Sequence, residues 1–467
     1  MLTNYFTLTK NQIKNKILTN YYIYTQSMSK IKIIKVGKLI DGNGSIIDNG
    51  VIVIQDKIIK KVGSDKEINL KKFENYELID LGQDVSAMPG MMDCHIHLCM
   101  YNNLTFKNYR VAQWEITPEL QQMYMLFHAQ LCLDRGITTL RDLGLMSNRG
   151  LLTAQSTAVK TSIENEILSG PRLITGAFTV GTGSHLDLIN PRGSVRNPKA
   201  TADGPDELRK LARINLLEGA DWLKTCASGG GGTDKEEPTV RNHTQEELDT
   251  VCDEAHALHA YTSIHCFTPD AHRMALKAGA DTIEHMVFHD QDSLEKLVES
   301  QVPVTPTLSH RTDHAIEIRR EIGTPSFTLE KMKRIQPDCF KTFQAFYKAG
   351  VKIAMGTDMG FEPDIGSNAD ELKIYVDLGM KPMEAIMTTT KNAAEALHLD
   401  NELGTLDEGK LADIVLVKGN PAENIEVLGK RDNILMVFKE GKICVDRSEG
   451  KDLKPFPTNY REWKVMD

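Results

Sequence analysis

Between residues 88 and 401, short apolar runs alternate with helix-like stretches eight times in succession, and this alternation limits the fold more than any other feature of the chain. The candidate strands are residues 90–95, 137–142, 172–178, 221–226, 262–267, 281–285, 302–308 and 351–358. The intervening stretches carry helix signals of their own. Thr244 with Glu247 makes a capping box that opens a helix running to Ala260. Residues 203–218 and 269–279 also read as helical. Residues 329–350 read as a helix broken near Pro337, where proline removes a backbone donor. Gly219, Gly279 and Gly350 each stand just before a strand, where a helix end favours glycine. Strand–helix units repeated eight times predict an α/β fold, a (β/α)8 barrel, rather than an open sheet.

Outside this region the texture changes. Residues 31–36, 37–41 and 50–55 near the start, and 412–418, 434–439 and 441–445 near the end, read as short strands separated by glycine turns. Each set alone has too few strands to bury a face. The two ends, 31–87 and 402–467, are therefore expected to pair into one small β-sandwich domain beside a barrel spanning 88–401. Residues 1–30 contain no Asp or Glu and are rich in Asn, Tyr, Thr and Lys. They read as a disordered extension or as a targeting segment, and the absence of Arg counts against targeting.

The charge balance narrows the partners. Lys and Arg total 55 against 64 Asp and Glu, a net charge of −9, which argues against a nucleic-acid or anionic-membrane binder. The eight cysteines form no CxxC pair and read as reduced thiols of an intracellular protein. No apolar run approaches the roughly 18 residues needed to cross a bilayer. The expected setting is cytoplasmic, with mitochondrial as the alternative raised by the acid-poor N-terminus. The expected partner is a small-molecule substrate, and self-association into a homo-oligomer stays open.

In such a barrel the reactive side chains sit at the C-terminal ends of the strands. There the sequence offers His95 and His97 on the first strand, Lys224 on the fourth, His265 on the fifth, His285 on the sixth and Asp358 on the eighth. His95 and His97 are two apart, so on a strand both imidazoles reach one ion. Lys224 stands at an apolar strand end, where burial and nearby cations favour the neutral amine. A neutral amine adds carbon dioxide to give a carbamate whose two oxygens bridge two metals. Asp358 is placed to bind a metal and to accept a proton from water that the metal has acidified. Taken singly, each histidine is equally a core residue, Lys224 a salt-bridge partner and Asp358 a helix cap; their convergence on one rim separates the two readings. His185, His243, His289, His310 and Arg311 lie on the same rim, with Arg141 and Asp142, as candidates for orienting a substrate. No phosphate-binding glycine loop and no GxSxG elbow is present.

These segments resemble the amidohydrolase superfamily. Pro89-Gly-Met-Met-Asp-Cys-His-Ile-His97 is similar to its opening motif, and the segment from Gly219 through Lys224 to Gly230 resembles the carboxylated-lysine strand of its binuclear, prolidase-like branch. Ser263-Ile-His-Cys266, Ile283-Glu-His285 and Gly356-Thr-Asp358 resemble the later ligands, and Gly404 to Asp413 resembles the return into the β-sandwich. The branch contains dipeptidases acting on Xaa-Pro and N-acyl amino acids and an ochratoxin-hydrolysing amidase. Imidazolonepropionases are similar along the chain but lack the bridging lysine. The resemblance implies a C–N hydrolase with His95, His97 and Asp358 on one divalent metal, His265 and His285 on the other, and carbamylated Lys224 with a hydroxide between them. Zinc is favoured by imidazole-rich ligation. A lactone or organophosphate ester hydrolase is the alternative on such a site, and a non-catalytic scaffold on this fold is a third reading.

Overall fold

The computed structural model describes residues 31–98, 112, 114–144, 146, 147, 150–188, 201–360 and 365–456. The expected N-terminal extension, 1–30, lies outside them. Five strands come first: β1 (Ile31–Ile40), β2 (Ile46–Gln55), β3 (Ile58–Ser64), β4 (Tyr76–Asp80) and β5 (Val85–Pro89). Nine follow: β6 (Met91–Ile96), β7 (Ile137–Asp142), β8 (Met146–Ser147), β9 (Gly150–Leu151), β10 (Arg172–Phe178), β11 (Trp222–Cys226), β12 (Tyr261–His265), β13 (Thr282–Glu284) and β14 (Val304–Thr305). The last three are β15 (Ile414–Lys418), β16 (Ile434–Lys439) and β17 (Lys442–Asp446).

Both ends of the chain build one eight-stranded sheet in the order β17-β16-β15-β5-β1-β2-β3, with β4 also on β1. β1 runs unbroken through Gly37, so the two short strands read from the sequence are one. A Cβ at Gly37 would lie 1.9 Å from the Gln83 carbonyl oxygen, and glycine is what lets that chain pass. The first half of β1 pairs with β4 and the second half with β5. β5 in turn pairs antiparallel with β15, which joins the two ends. The sheet curls, so that Ile34, Ile52 and Ile59 from early strands share one core with Leu416 and Phe438 from late ones.

The middle of the chain forms a parallel sheet, β14-β13-β12-β11-β10-β7-β6. The eighth expected strand closes it as an extended segment rather than a ladder. Ala354 N donates to Val304 O (3.0 Å), Cys94 N to Met355 O (2.9 Å) and His97 N to Met359 O (2.8 Å), so residues 353–359 lie between β14 and β6. Regular pairing stops there because Gly356 packs directly on His95, where a Cβ would be 2.8 Å from that of His95, and because Asp358 is left-handed (φ 59). The barrel is thus closed by eight segments, seven of them regular strands.

Helices Pro205–Leu217, Gln245–Ala257 and Pro269–Ala278 lie within the stretches expected, and the Thr244–Glu247 capping box is formed. One expectation fails. Helix Ser326–Ala349 continues through Pro337 without a break. Pro337 and Lys333, the residue one turn earlier whose carbonyl loses its partner, are both exposed, so water can satisfy that carbonyl. Ile335, Cys339, Phe343 and Phe346 hold the two halves on one buried face.

Candidate active site

The strand ends bring His95, His97, Lys224, His265, His285 and Asp358 into one cavity of about 130 Å³. Asp358 Oδ1 lies 3.3 Å from His95 Nε2 and 3.2 Å from His97 Nε2. These three residues form the one group of possible metal ligands among the described residues whose ligand atoms all lie within 4.8 Å of one another. The His265 and His285 rings meet at 4.5 Å between centroids, and His95 lies 4.9 Å from His285.

Three of the four imidazoles, those of His95, His97 and His285, are held by Nδ1. His95 Nδ1–H donates to Glu284 Oε2 (2.7 Å), His97 Nδ1–H to Gly144 O (2.7 Å) and His285 Nδ1 meets Thr307 Oγ1 (2.7 Å). Nε2 is left facing the cavity, the arrangement in which an outer partner fixes the tautomer of a ligand. His265 Nε2 lies 3.1 Å from Gly229 O. Burial, reinforced by cationic neighbours, pushes His265 and His285 well below the ordinary imidazole range, so both are neutral. His285, Thr307 and Asp358 are all left-handed, at φ 76, 55 and 59. Strained backbone of this kind collects where side chains must be aimed.

Lys224 is 1% exposed and its Nζ has no hydrogen-bond partner among the described residues. Burial lowers its pKa, so the amine tends to shed its proton. Asp358 goes the other way. Burial opposes its ionisation, but His310 and His95 outweigh burial and hold the carboxyl well below the usual range.

Beneath the rim lies a charged layer whose carboxylates sequence reading did not single out. Glu284, wholly buried, joins His95 to Arg141 (Nη2 to Oε1, 2.7 Å) and accepts from Ser263 and Thr282. Arg141 also donates to Cys94 O (2.5 Å) and stacks 4.3 Å over Trp222. Arg141 therefore spans the barrel interior and does not serve a substrate at the rim. Asp93 accepts from His95 N (2.9 Å), Thr357 Oγ1 (2.7 Å) and Asn368 Nδ2 (2.7 Å), tying β6 to the Asp358 turn. The signal available was a lone carboxylate inside each of two apolar strands, one residue before or two before a ligand histidine.

The five substrate-binding candidates divide. His185, His310 and Arg311 line the cavity. His243 and His289 do not. His243 is buried with both nitrogens used by backbone, Nδ1–H donating to Cys226 O (2.6 Å) and Nε2 accepting from Gly181 N (2.9 Å). His289 turns outward to Thr342 Oγ1 (2.9 Å) and packs on Phe346. A place after a strand puts a residue at the correct end of the barrel but does not aim it inward. Arg311 is 9% exposed and lies 5.4 Å over the Phe267 ring. Its guanidinium makes no hydrogen bond or ion pair among the described residues.

A parallel α/β barrel with imidazoles, a buried lysine and a carboxylate converging on its rim has the architecture of a metal-dependent hydrolase. A family model described as the amidohydrolase family matches residues 86–444. The chain belongs to the amidohydrolase family, and it is a metal-dependent hydrolytic enzyme acting on C–N bonds. Ochratoxinase of Aspergillus niger is 29% identical over 441 residues, covering 89% of this chain and 87% of that protein. The crystal structure of a Xaa-Pro dipeptidase with bound methionine in the active site aligns with a TM-score of 0.79 and 30% identity, covering 89% of this chain and 99% of that one. A prolidase complexed with N-methylphosphonate-L-proline aligns at 0.78 and 26% identity, with the same coverage. These relatives do not favour the lactone or organophosphate alternative.

Proposed function

We propose that the chain cleaves the amide or peptide-like C–N bond of a small substrate bearing a free carboxylate, of the N-acyl amino acid or Xaa-Pro dipeptide type. The observation that carries the reading is Lys224: a buried amine with no hydrogen-bond partner among the described residues, lining one cavity with four histidines and an aspartate. An amine left unpaired there fits conversion to a carbamate by carbon dioxide, with loss of one proton, and the product would supply the negative charge that a pair of cations needs. The donor set fits two divalent ions, with His95, His97 and Asp358 for one, His265 and His285 for the other, and carbamylated Lys224 shared. Imidazole-rich ligation favours zinc. When bound, the metal pair polarises the scissile carbonyl and acidifies water.

The chain's own groups do the rest. Asp358, ionised, takes a proton at its carboxylate from the attacking water and passes it to the leaving nitrogen. His310, 3.4 Å from Asp358 Oδ2, keeps that carboxylate charged until the proton arrives. Arg311 supplies a guanidinium that meets no carboxylate among the described residues, suited to bidentate pairing with one on the substrate. Phe267 beneath it keeps water from that side. We place this reaction on a soluble small molecule, with neither nucleic acid nor membrane as partner, in a reducing compartment such as the cytoplasm. The seven described cysteines are all free, and no helix among the described residues is long and apolar enough to cross a membrane.

The test is a hydrolysis panel on protein supplied with zinc and bicarbonate. It contains N-acyl amino acids, Xaa-Pro dipeptides, a lactone and a phosphotriester, with Asp358→Asn as control. Cleavage of amides that is lost in the control, and lost when the substrate carboxylate is capped as an amide, is expected. Turnover confined to the lactone or the phosphotriester would overturn the reading.

A further inference from the structure

The glycine-rich loop after β11 is held by a residue no sequence pattern marks. Glu236 is 2% exposed although it sits in a loop. Its Oε1 accepts from His185 Nδ1–H (2.6 Å) and Gly230 N (2.6 Å), and its Oε2 from Gly232 N (3.0 Å). Its main-chain oxygen accepts from Lys331 Nζ, which also donates to Thr233 O (2.6 Å). Burial alone would keep such a carboxyl protonated, yet His185 and the two glycine N–H groups hold it below its ordinary range. The fit is close on the histidine side as well. A Cβ at Gly230 would stand 2.2 Å from His185 Cε1, and His185 N donates to Asn242 Oδ1 (2.8 Å). The His185 ring lies 4.4 Å from that of His265 inside the cavity.

We propose that Glu236 is a positioning residue of the active site: it fixes His185 as the tautomer with Nδ1 protonated, so that Nε2 is presented to the cavity, and through Lys331 it ties that arrangement to helix Ser326–Ala349. The argument is one of valence. An ionised carboxylate only accepts, so the ring nitrogen facing it carries the hydrogen. The opposite nitrogen is then open to a substrate oxygen or nitrogen. Lys331 and His185 both line the cavity, so Glu236 touches two of its walls, one through its carboxylate and one through its main-chain oxygen. The inference rests on that cavity being the site of hydrolysis only for its kinetic arm.

Long-range proton–nitrogen NMR on the full-length, zinc-supplied protein reads the tautomer without any substrate, with the His185 signal assigned by its loss in His185→Asn. Wild-type protein is expected to carry the hydrogen on Nδ1, and a hydrogen on Nε2 alone would overturn the proposal before any variant is made. Glu236→Ala is expected to release the ring toward the Nε2–H form; an unchanged tautomer would also overturn it. On N-acetyl-L-phenylalanine or whichever amide the panel identifies, Glu236→Gln is expected to lower kcat/KM by about 100-fold. Added to His185→Asn it should lower it little further, since both act through one ring. Fully additive losses would make Glu236 a structural residue. Failure of every amide in the panel would sink the proposed function while leaving the tautomer result standing.

Discussion

The two ends of the barrel both bury charge, and they treat it in opposite ways. At the end facing the curled sheet two clusters of buried charge meet their opposites. Arg172 pairs with Asp413 and Glu440, each at 2.8 Å, and Asp134 is gripped by Arg431 (2.6 Å) and Arg447. These pairs join barrel to sheet. At the C-terminal rim, among the described residues, Lys224 has no hydrogen-bond partner and Arg311 no carboxylate, and Asp358 faces three imidazoles. Removing a charge from water is expensive, so a buried charge that the fold leaves unanswered marks where something outside the chain supplies the answer.

That contrast can be broken by substitution. Lys224→Ala has the largest expected effect: a loss of at least about 10³-fold in kcat/KM together with metal content, while the metal-free proteins compare at equal or higher Tm for the variant because an unpaired amine is removed. Full metal and full activity in that variant would end the bridging role. Glu284→Gln reaches both sides of the comparison, since it strips Arg141 of its counter-charge and His95 of its acceptor. Urea unfolding is expected to show a loss of about 3–5 kcal/mol, and metal titration a weakening of about 10–100-fold. Asp134→Asn, at the sheet end, should cost about 2–3 kcal/mol of stability with kcat unchanged. A fall in kcat without a fall in stability would show that the two ends are not separable in this way.

The smallest effect concerns Glu371, whose carboxylate accepts from Leu308 N (2.7 Å) and Ser309 N (2.5 Å) and so anchors the turn carrying His310 and Arg311. Burial raises it from 4.5 to about 7 despite these bonds, because no cation faces it. A carboxyl raised in the folded state contributes stability that is complete below 4.5 and lost as pH rises through 7. Stability is therefore expected to fall by about 1 kcal/mol from pH 6 to pH 8 on this account. Calorimetry on Glu371→Gln should show a flatter profile, and an unchanged slope would assign the effect to other groups.

What was legible in the sequence follows the same division. The barrel could be read because its period is local, and the ligand candidates because each ends an apolar run. Glu284 was hidden, and Arg141 was read as a rim residue, because the two find each other across the barrel, from β13 and β7, with nothing local to announce it. Glu236 was hidden in a loop whose shape depends on its own hydrogen bonds. His243 and His289 were over-read, because loop geometry, not position along the chain, decides whether a ring turns inward. Pro337 misled for a related reason: the missing bond lies on the wet side of its helix, where it is cheaply replaced.

The joining of β5 to β15 bears on how the molecule is made. Val85 pairs with Lys418 and Pro89 with Ile414, so the sheet stays open while all of the barrel sequence is still emerging. Loop-closure entropy of that order is met only after the intervening strands have drawn the ends together. Until then β5 presents an unpaired, apolar edge, the kind that recruits other chains. The last strands to be synthesised are thus the ones that seal the first, and slow arrival of β15 and β16 is the step at which this chain is most exposed to aggregation.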